Sequence, residues 1–252
     1  MATWAIRGMF GVLVVPLFSF TVLAQGLSFE IVRGGSSEAA GEKGLYMPGM
    51  FRQEDKDGHV SILRLDKELM ITIDPEKKTY TETTFKDFET KIKHSREKID
   101  ETMKKRLAEM PPEQRKKIEE RMPAMTGQHV EAKVEVNETG ERKSIDGYSC
   151  MGYAVKRDSK EIETVWATRD IPNYASFRKD FQRLASFFTS ISGRHNAFAS
   201  LEKVDGFPIE RSGTTGTREK FTKIQNGSFP ASAFEIPPGY AKVELPFEKD
   251  DK

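Results

Sequence analysis

Hydrophobic and polar positions along the chain switch between a strand period and a helix period. Ser28–Val32 reads as a short strand, and Gly34 to Gly44 as a small, polar, Gly/Ser/Ala-rich connection. From Met50 to Phe85 the pattern is β. Asp55-Lys56-Asp57-Gly58 is a hairpin turn signal. Ser61–Leu65 and Leu69–Ile73 follow as strands, with Leu69, Ile71 and Ile73 alternating as a half-buried strand requires. Asp74-Pro75-Glu76-Lys77-Lys78 makes the next turn before a Thr-rich strand, Thr79–Thr84. Connections this short cannot carry parallel crossovers, so the segment is an antiparallel meander.

Phe85 to Met125 is helical. Phe85, Phe88, Ile92, Ile99, Met103 and Met110 recur on one face. Acids four residues before bases (Asp87–Lys91, Glu89–Lys93, Asp100–Lys104, Glu101–Lys105) favour a long solvated helix. Pro111-Pro112 breaks it, and a second helix carrying Ile118, Met122 and Met125 completes a hairpin inserted between two β regions. Val130, Ala132, Val134 and Val136 then alternate up to a turn at Asn137-Glu138-Thr139-Gly140. Tyr148–Val155 and Ile162–Ala167 pair across Asp158-Ser159-Lys160. Pro172 to Ile191 is a second amphipathic helix, with Tyr174, Phe177, Phe181, Leu184, Phe187, Phe188 and Ile191 on one side. Strands near Phe207–Arg211 and Glu219–Ile224 and an extended Pro-rich tail complete an α+β domain.

The beginning of the chain departs from this scheme. A leader whose only charge is Arg7 runs into an apolar stretch, Gly8 to Leu23, followed by Ala24-Gln25. Val22 and Ala24 are small enough for the two pockets of a signal peptidase, so 1–24 reads as a secretory signal cut between Ala24 and Gln25. An uncleaved anchor fits less well. The run is shorter than the ~20 residues a span needs, and Pro16 interrupts it. Gln25 stands where a lipoprotein carries its Cys. The expected product is a soluble protein outside the cytoplasm, 25–252, forming one α+β domain with the hairpin at 85–125.

Charge and cysteine content narrow its partners. Without Arg7 the 40 basic residues become 39, matching the 39 acidic ones, a balance that argues against nucleic acid. An aromatic content of 10% supports a packed core over a disordered chain. Cys150 is the only cysteine, so an intrachain disulfide is excluded. Either it pairs with another chain or it packs as a small apolar side chain in a strand, which is the simpler reading.

No catalytic signature emerges. His59, His94, His129 and His195 fall in separate elements. His94, Glu97 and Glu101 share a helix face opposite the apolar stripe, where a solvated surface is a better account than a metal site. The Ser95–Lys98 and Ser200–Lys203 spacings lack the other motifs of penicillin-interacting enzymes. The expectation is therefore a non-enzymatic protein without catalytic residues, metal or cofactor. The apolar helix faces are more informative, because a sheet wrapped on such a helix leaves room for an apolar ligand. Leu69, Ile71, Ile73, Phe177, Phe181, Leu184 and Phe188 are the candidate lining residues.

Five phrases occur in order: Asp74-Pro75-Glu76-Lys77-Lys78-Thr79-Tyr80, Met110-Pro111-Pro112-Glu113-Gln114-Arg115, Ile145-Asp146-Gly147-Tyr148-Ser149-Cys150, Gly206-Phe207-Pro208-Ile209 and Phe234-Glu235-Ile236-Pro237-Pro238-Gly239-Tyr240. Together they resemble the domain-of-unknown-function 4412 family of exported bacterial proteins, from about Met47 to Tyr240. That family is similar in layout to the LolA-like periplasmic lipoprotein carriers. The resemblance implies a curved antiparallel half-barrel packed on helices, a periplasmic location and a lipid or acyl-chain ligand. The alternative expectation is a chaperone-like or stress-related protein that binds a protein partner through the 85–125 hairpin.

Overall fold

A computed structural model describes residues 23–34, 41–116, 118, 134–192 and 200–244. The leader 1–22, the end of the hairpin beyond residue 118, Val130, Ala132, His129 and His195 lie outside the described residues. Strands β1 (Leu23–Arg33), β2 (Glu42–Met47), β3 (Met50–Glu54), β4 (Val60–Arg64), β5 (Leu69–Asp74) and β6 (Thr79–Thr84) lead into helix α1 (Phe85–Ala108). After it come β7 (Val134–Ile145), β8 (Tyr148–Arg157) and β9 (Lys160–Thr168), helix α2 (Tyr174–Ser192), then β10 (Phe207–Gly213) and β11 (Arg218–Pro230). A 3-10 turn (Ala231–Phe234) and the short β12 (Ala241–Lys242) end the fold.

All the strands join one open sheet in the order β12-β6-β5-β4-β3-β2-β1-β11-β10-β9-β8-β7, antiparallel except where β12 lies parallel to β6. The fold is thus α+β, with a large sheet that is not closed into a barrel. It consists of two meanders, β1–β6 and β7–β11, fused where β1 pairs along β11 from Leu23↔Pro230 to Arg33↔Glu219. The first strand is therefore central. The connection from β6 to β7 runs between opposite ends of the sheet, and α1 forms its first part.

Turn and helix-end chemistry explains three of the five phrases. Asp74 Oδ1 accepts the amide of Lys77 at 2.9 Å, closing the β5–β6 turn. Asp146 and Gly147 both have positive φ (50° and 85°), as a tight β7–β8 hairpin requires. Arg115, beyond the double proline, donates to the Leu107 and Ala108 carbonyls at 2.8 and 3.0 Å and so satisfies the end of α1. Thr84 caps the other end by accepting from the Asp87 amide at 3.0 Å.

Two expectations are corrected here. Glu42, Lys43 and Gly44, read as connection, belong to β2. Asn137–Gly140, read as a turn, is an irregularity inside the long β7. Between Glu138↔Tyr153 and Arg142↔Met151, β7 carries extra residues opposite β8, and Gly140 takes a φ of 79°.

Alternation along β2–β5 divides the core between two faces of the sheet. Tyr46 and Phe51 face α2 through Phe177, joined by Leu27, Phe29 and Phe207. Their neighbours in sequence, Met47 and Met50, face the other way, with Val60, Ile62, Ile71 and Ile73. That second face is covered by the chain's end, through Phe234, Ile236 and Tyr240.

Candidate functional site

The expected lining residues do not come together. Phe177, Phe181 and Leu184 lie on α2 toward the sheet, and Phe177 and Leu184 are buried. Ile71 and Ile73 are buried on the opposite face under Phe234, and strand alternation puts Leu69 on that face too. The period of two shows that Leu69, Ile71 and Ile73 share a side. It does not show which element covers that side.

Under α2 the packing is close. Phe177 stacks with Phe181, and its ring lies 5.1 Å from Tyr46, 5.9 Å from Phe51 and 4.8 Å from Phe207. A cavity bounded by Tyr174, Phe177, Phe181, Leu201, Val204 and Pro208 measures about 10 Å³, room for about one water.

Within this layer sits Asp180, 8% exposed. Its Oδ2 accepts the Tyr46 hydroxyl at 3.0 Å and the Gly49 amide at 2.6 Å. Gly49 (φ 78°) makes the β2–β3 turn, and its carbonyl accepts the Leu65 amide at 2.8 Å. One carboxylate thus fastens α2 to the turn between two strands. Burial, then the adjacent Asp180 charge, pushes the Tyr46 hydroxyl up, so it stays a neutral donor. The sequence reading passed over Asp180. The available signal was an acid three residues after Phe177 and four before Leu184, inside the apolar stripe.

At the start of α2, Asp205 gathers a second polar group. Arg178 donates to it at 2.7 Å and Tyr174 at 3.2 Å, and Arg169 pairs with it as well. Burial raises the Tyr174 hydroxyl to about 12, with Arg178 opposing and Asp205 adding to the shift. Elsewhere a ladder of charges crosses five strands, Glu163, Arg211, Glu219, Arg33 and Glu42. Burial raises Glu163 although Arg211 opposes it. These groups bind one another, and their chemistry is that of fastening rather than bond-making.

The helices meet at a more open place. Phe85 stacks on Phe187 with ring centres 4.4 Å apart, Phe88 lies 6.4 Å from Phe187, and Phe188 sits 5.3 Å from it. All four rings are half-buried. Further along α1, Ile99 is 58% exposed, and an open groove of about 360 Å³ runs along Lys98, Ile99, Thr102, Met103 and Arg106. His94, Glu97 and Glu101 are exposed, and among the described residues no group of three or more His, Cys, Asp or Glu could hold a metal ion. Cys150 is buried in β8, where burial raises its thiol. Among the described residues no helix is long and apolar enough to cross a membrane.

The class defined by this architecture is an α+β protein with an open, mostly antiparallel twelve-stranded sheet and polar fastenings under its helices. The chain belongs to the family described as Domain of unknown function (DUF4412), whose model matches residues 115–240. The match spans three of the five phrases and ends with the last of them at Tyr240; it begins at Arg115, the final residue of the Met110–Arg115 phrase, and Asp74–Tyr80 precedes it. No curated protein matches the chain. Among solved structures it is similar to PNGF-II in two crystal forms, at 8% identity and TM-scores of 0.39 and 0.38. The likeness covers 88% of this chain but only 32% and 31% of those, so the chain spans about a third of their length.

Proposed function

We propose that the protein is an exported, soluble, non-enzymatic binding protein of the bacterial periplasm that holds a lipid acyl chain or a comparable apolar group. The observation that carries the reading is the seam between α1 and α2. Phe85, Phe88, Phe187 and Phe188 present half-buried rings there, while the layer beneath α2 is filled. An apolar ligand would lie in the angle between the helices, not between α2 and the sheet. The pattern of the leader, with its expected cut between Ala24 and Gln25, supports export, and the resemblance of the family to the LolA-like carriers supports an acyl ligand.

Mass spectrometry of protein purified from the native periplasmic fraction, with titration of a fluorescent fatty acid, tests the reading. Bound acyl species are expected, with at least fivefold weaker titration in Phe187→Ala. Ligand-free protein that shows no saturable binding overturns it.

A second reading rests on the exposed Ile99 beside Met103, the surface of a chaperone-like or stress-related protein that clamps partner chains. Its test is Ile99→Asp with Met103→Asp rather than deletion, because the segment also links the two ends of the sheet. Loss of anti-aggregation activity supports it, and unchanged activity removes it.

A further inference from the structure

The face of the β2–β5 strands that α2 does not touch carries features of a peptide site. Met47, Val60, Ile62, Ile71 and Ile73 form an apolar floor, and Phe234 is fully buried on it. Two guanidinium groups hold the backbone of the covering segment. Arg52 donates to the Ala233 carbonyl at 3.3 Å, and Arg64 to the Phe234 carbonyl at 3.4 Å. Arg64 is fixed in turn by Asp66, which accepts from it at 2.8 and 2.7 Å. Further on, the segment adds a strand to the edge of β6, the amides of Ala241 and Val243 donating to Lys78 and Tyr80 carbonyls at 2.9 and 2.8 Å. Lys242 pairs with Glu82 of β6 at 3.1 Å.

An aromatic anchor, main-chain clamps and strand addition are how peptide-binding domains recognise extended ligands. The covering segment also resembles such a ligand. Pro237 and Pro238 have no amide hydrogen to give, and Phe234, Ile236 and Tyr240 spend their apolar surface on other elements. We propose that this face is a peptide-binding groove, which the monomer fills with its own residues 231–243 and which accepts the same residues from a second copy of this chain. A second copy is the occupant because the tail follows β11 directly at Pro230 while every clamp above belongs to β3, β4, β6 or the turn that leads into β6. Exchanging tails between two copies keeps each of these contacts, the Lys242–Glu82 pair included, and gives a closed two-fold assembly.

A labelled synthetic peptide of residues 230–244 tests this against the full chain. Phe234→Ala weakens the resident anchor. Ala241→Pro removes one strand-addition donor and serves if Phe234→Ala does not fold. The peptide is expected to bind either folded variant at least tenfold more tightly than wild type, where the resident tail competes. A peptide carrying Phe234→Ala should bind at least tenfold more weakly. Sedimentation of the wild type should reveal a concentration-dependent dimer that excess peptide dissolves. Equal binding to wild type and variants, no binding to a folded variant, or equal binding of the substituted peptide overturns the groove. Specific peptide binding without any dimer overturns the second copy as its occupant.

Discussion

Asp180 gives the sharpest test of how α2 is held. Replacing it by Ala leaves the Tyr46 hydroxyl and the Gly49 amide without their acceptor in a packed layer. An unsatisfied buried donor costs about 1–3 kcal/mol. The Gly49 turn is only part-buried, so water recovers some of its share, and a loss of roughly 2–4 kcal/mol is expected. Tyr46→Phe removes one donor and leaves Asp180 its amide. A hydrogen bond to a charged group contributes about 1.5–3 kcal/mol, which bounds that loss. Because both substitutions remove the same bond, the double variant should lose less than the sum of the singles, by about 1–2 kcal/mol. Asp180→Asn keeps the shape and one acceptor oxygen and should fall between wild type and Asp180→Ala. Urea unfolding of the chain lacking 1–24, followed by its sole tryptophan, Trp166, measures all four, with m-values expected to agree. Additivity of the two single substitutions, or a cost below about 0.5 kcal/mol for Asp180→Ala, refutes the fastening role.

Gly26 of β1 faces the Tyr46 carbonyl so closely that an added methyl meets backbone, and Met47 Cγ at 2.9 Å. Gly26→Ala should therefore lose at least about 2 kcal/mol in the same assay, whereas Gly213→Ala, with nothing nearer than 3.6 Å, should lose far less. Tyr174 is raised from 10.0 to about 12 by burial, so the unfolded chain releases this proton first as pH rises. Its contribution is complete below pH 10 and disappears between 10 and about 12, and Tyr174→Phe should flatten the stability profile over that interval. Cys150 is 1% exposed with its thiol raised by burial, so an aromatic disulfide reagent at pH 8 should label it only at the rate of unfolding; immediate labelling of native protein would refute its burial.

Sequence patterning located β5 and α2 by their well-marked apolar sides, and β6, β8 and β9 to within a few residues by their β-branched and aromatic composition between turn signals. It missed β2, where Leu45, Tyr46 and Met47 run together without alternating. That strand lies inside the sheet with apolar cover on both faces, so no polar side remains to reveal the period. Asn137–Gly140 looked like a turn because a strand irregularity uses the same positive-φ glycine as a turn does. The proposed cavity joined Ile71 and Ile73 to Phe177 because both sets are apolar. Their placement on opposite faces depends on where the tail returns, a long-range fact that local alternation does not contain. Asp180 was legible in principle, since an acid in an otherwise apolar stripe needs a buried partner. Tyr46 and the Gly49 amide, more than a hundred residues away, were not.

The sheet order also changes what the charged helix signifies. Ten inter-strand steps separate β6 from β7, roughly 48 Å if the sheet were flat. A helix of 24 residues spans about 36 Å, so α1 is a suitable first section of a connection between the two ends. Such a crossover needs an apolar anchor where it leaves the fold and a charged surface where it meets solvent. Phe85 and Phe88 against Phe187 supply the anchor, and the acid–base pairs beyond them supply the surface. The charge pattern of α1 is therefore explained by its route and does not by itself argue for a partner. Ile99 is the residue that this account leaves over, since a solvated crossover gains nothing from a branched apolar side chain 58% exposed. The partner-binding reading thus rests on Ile99 and the groove beside it. If Ile99→Asp with Met103→Asp binds every tested client as wild type does, α1 beyond its Phe85–Phe88 anchor is a connection alone.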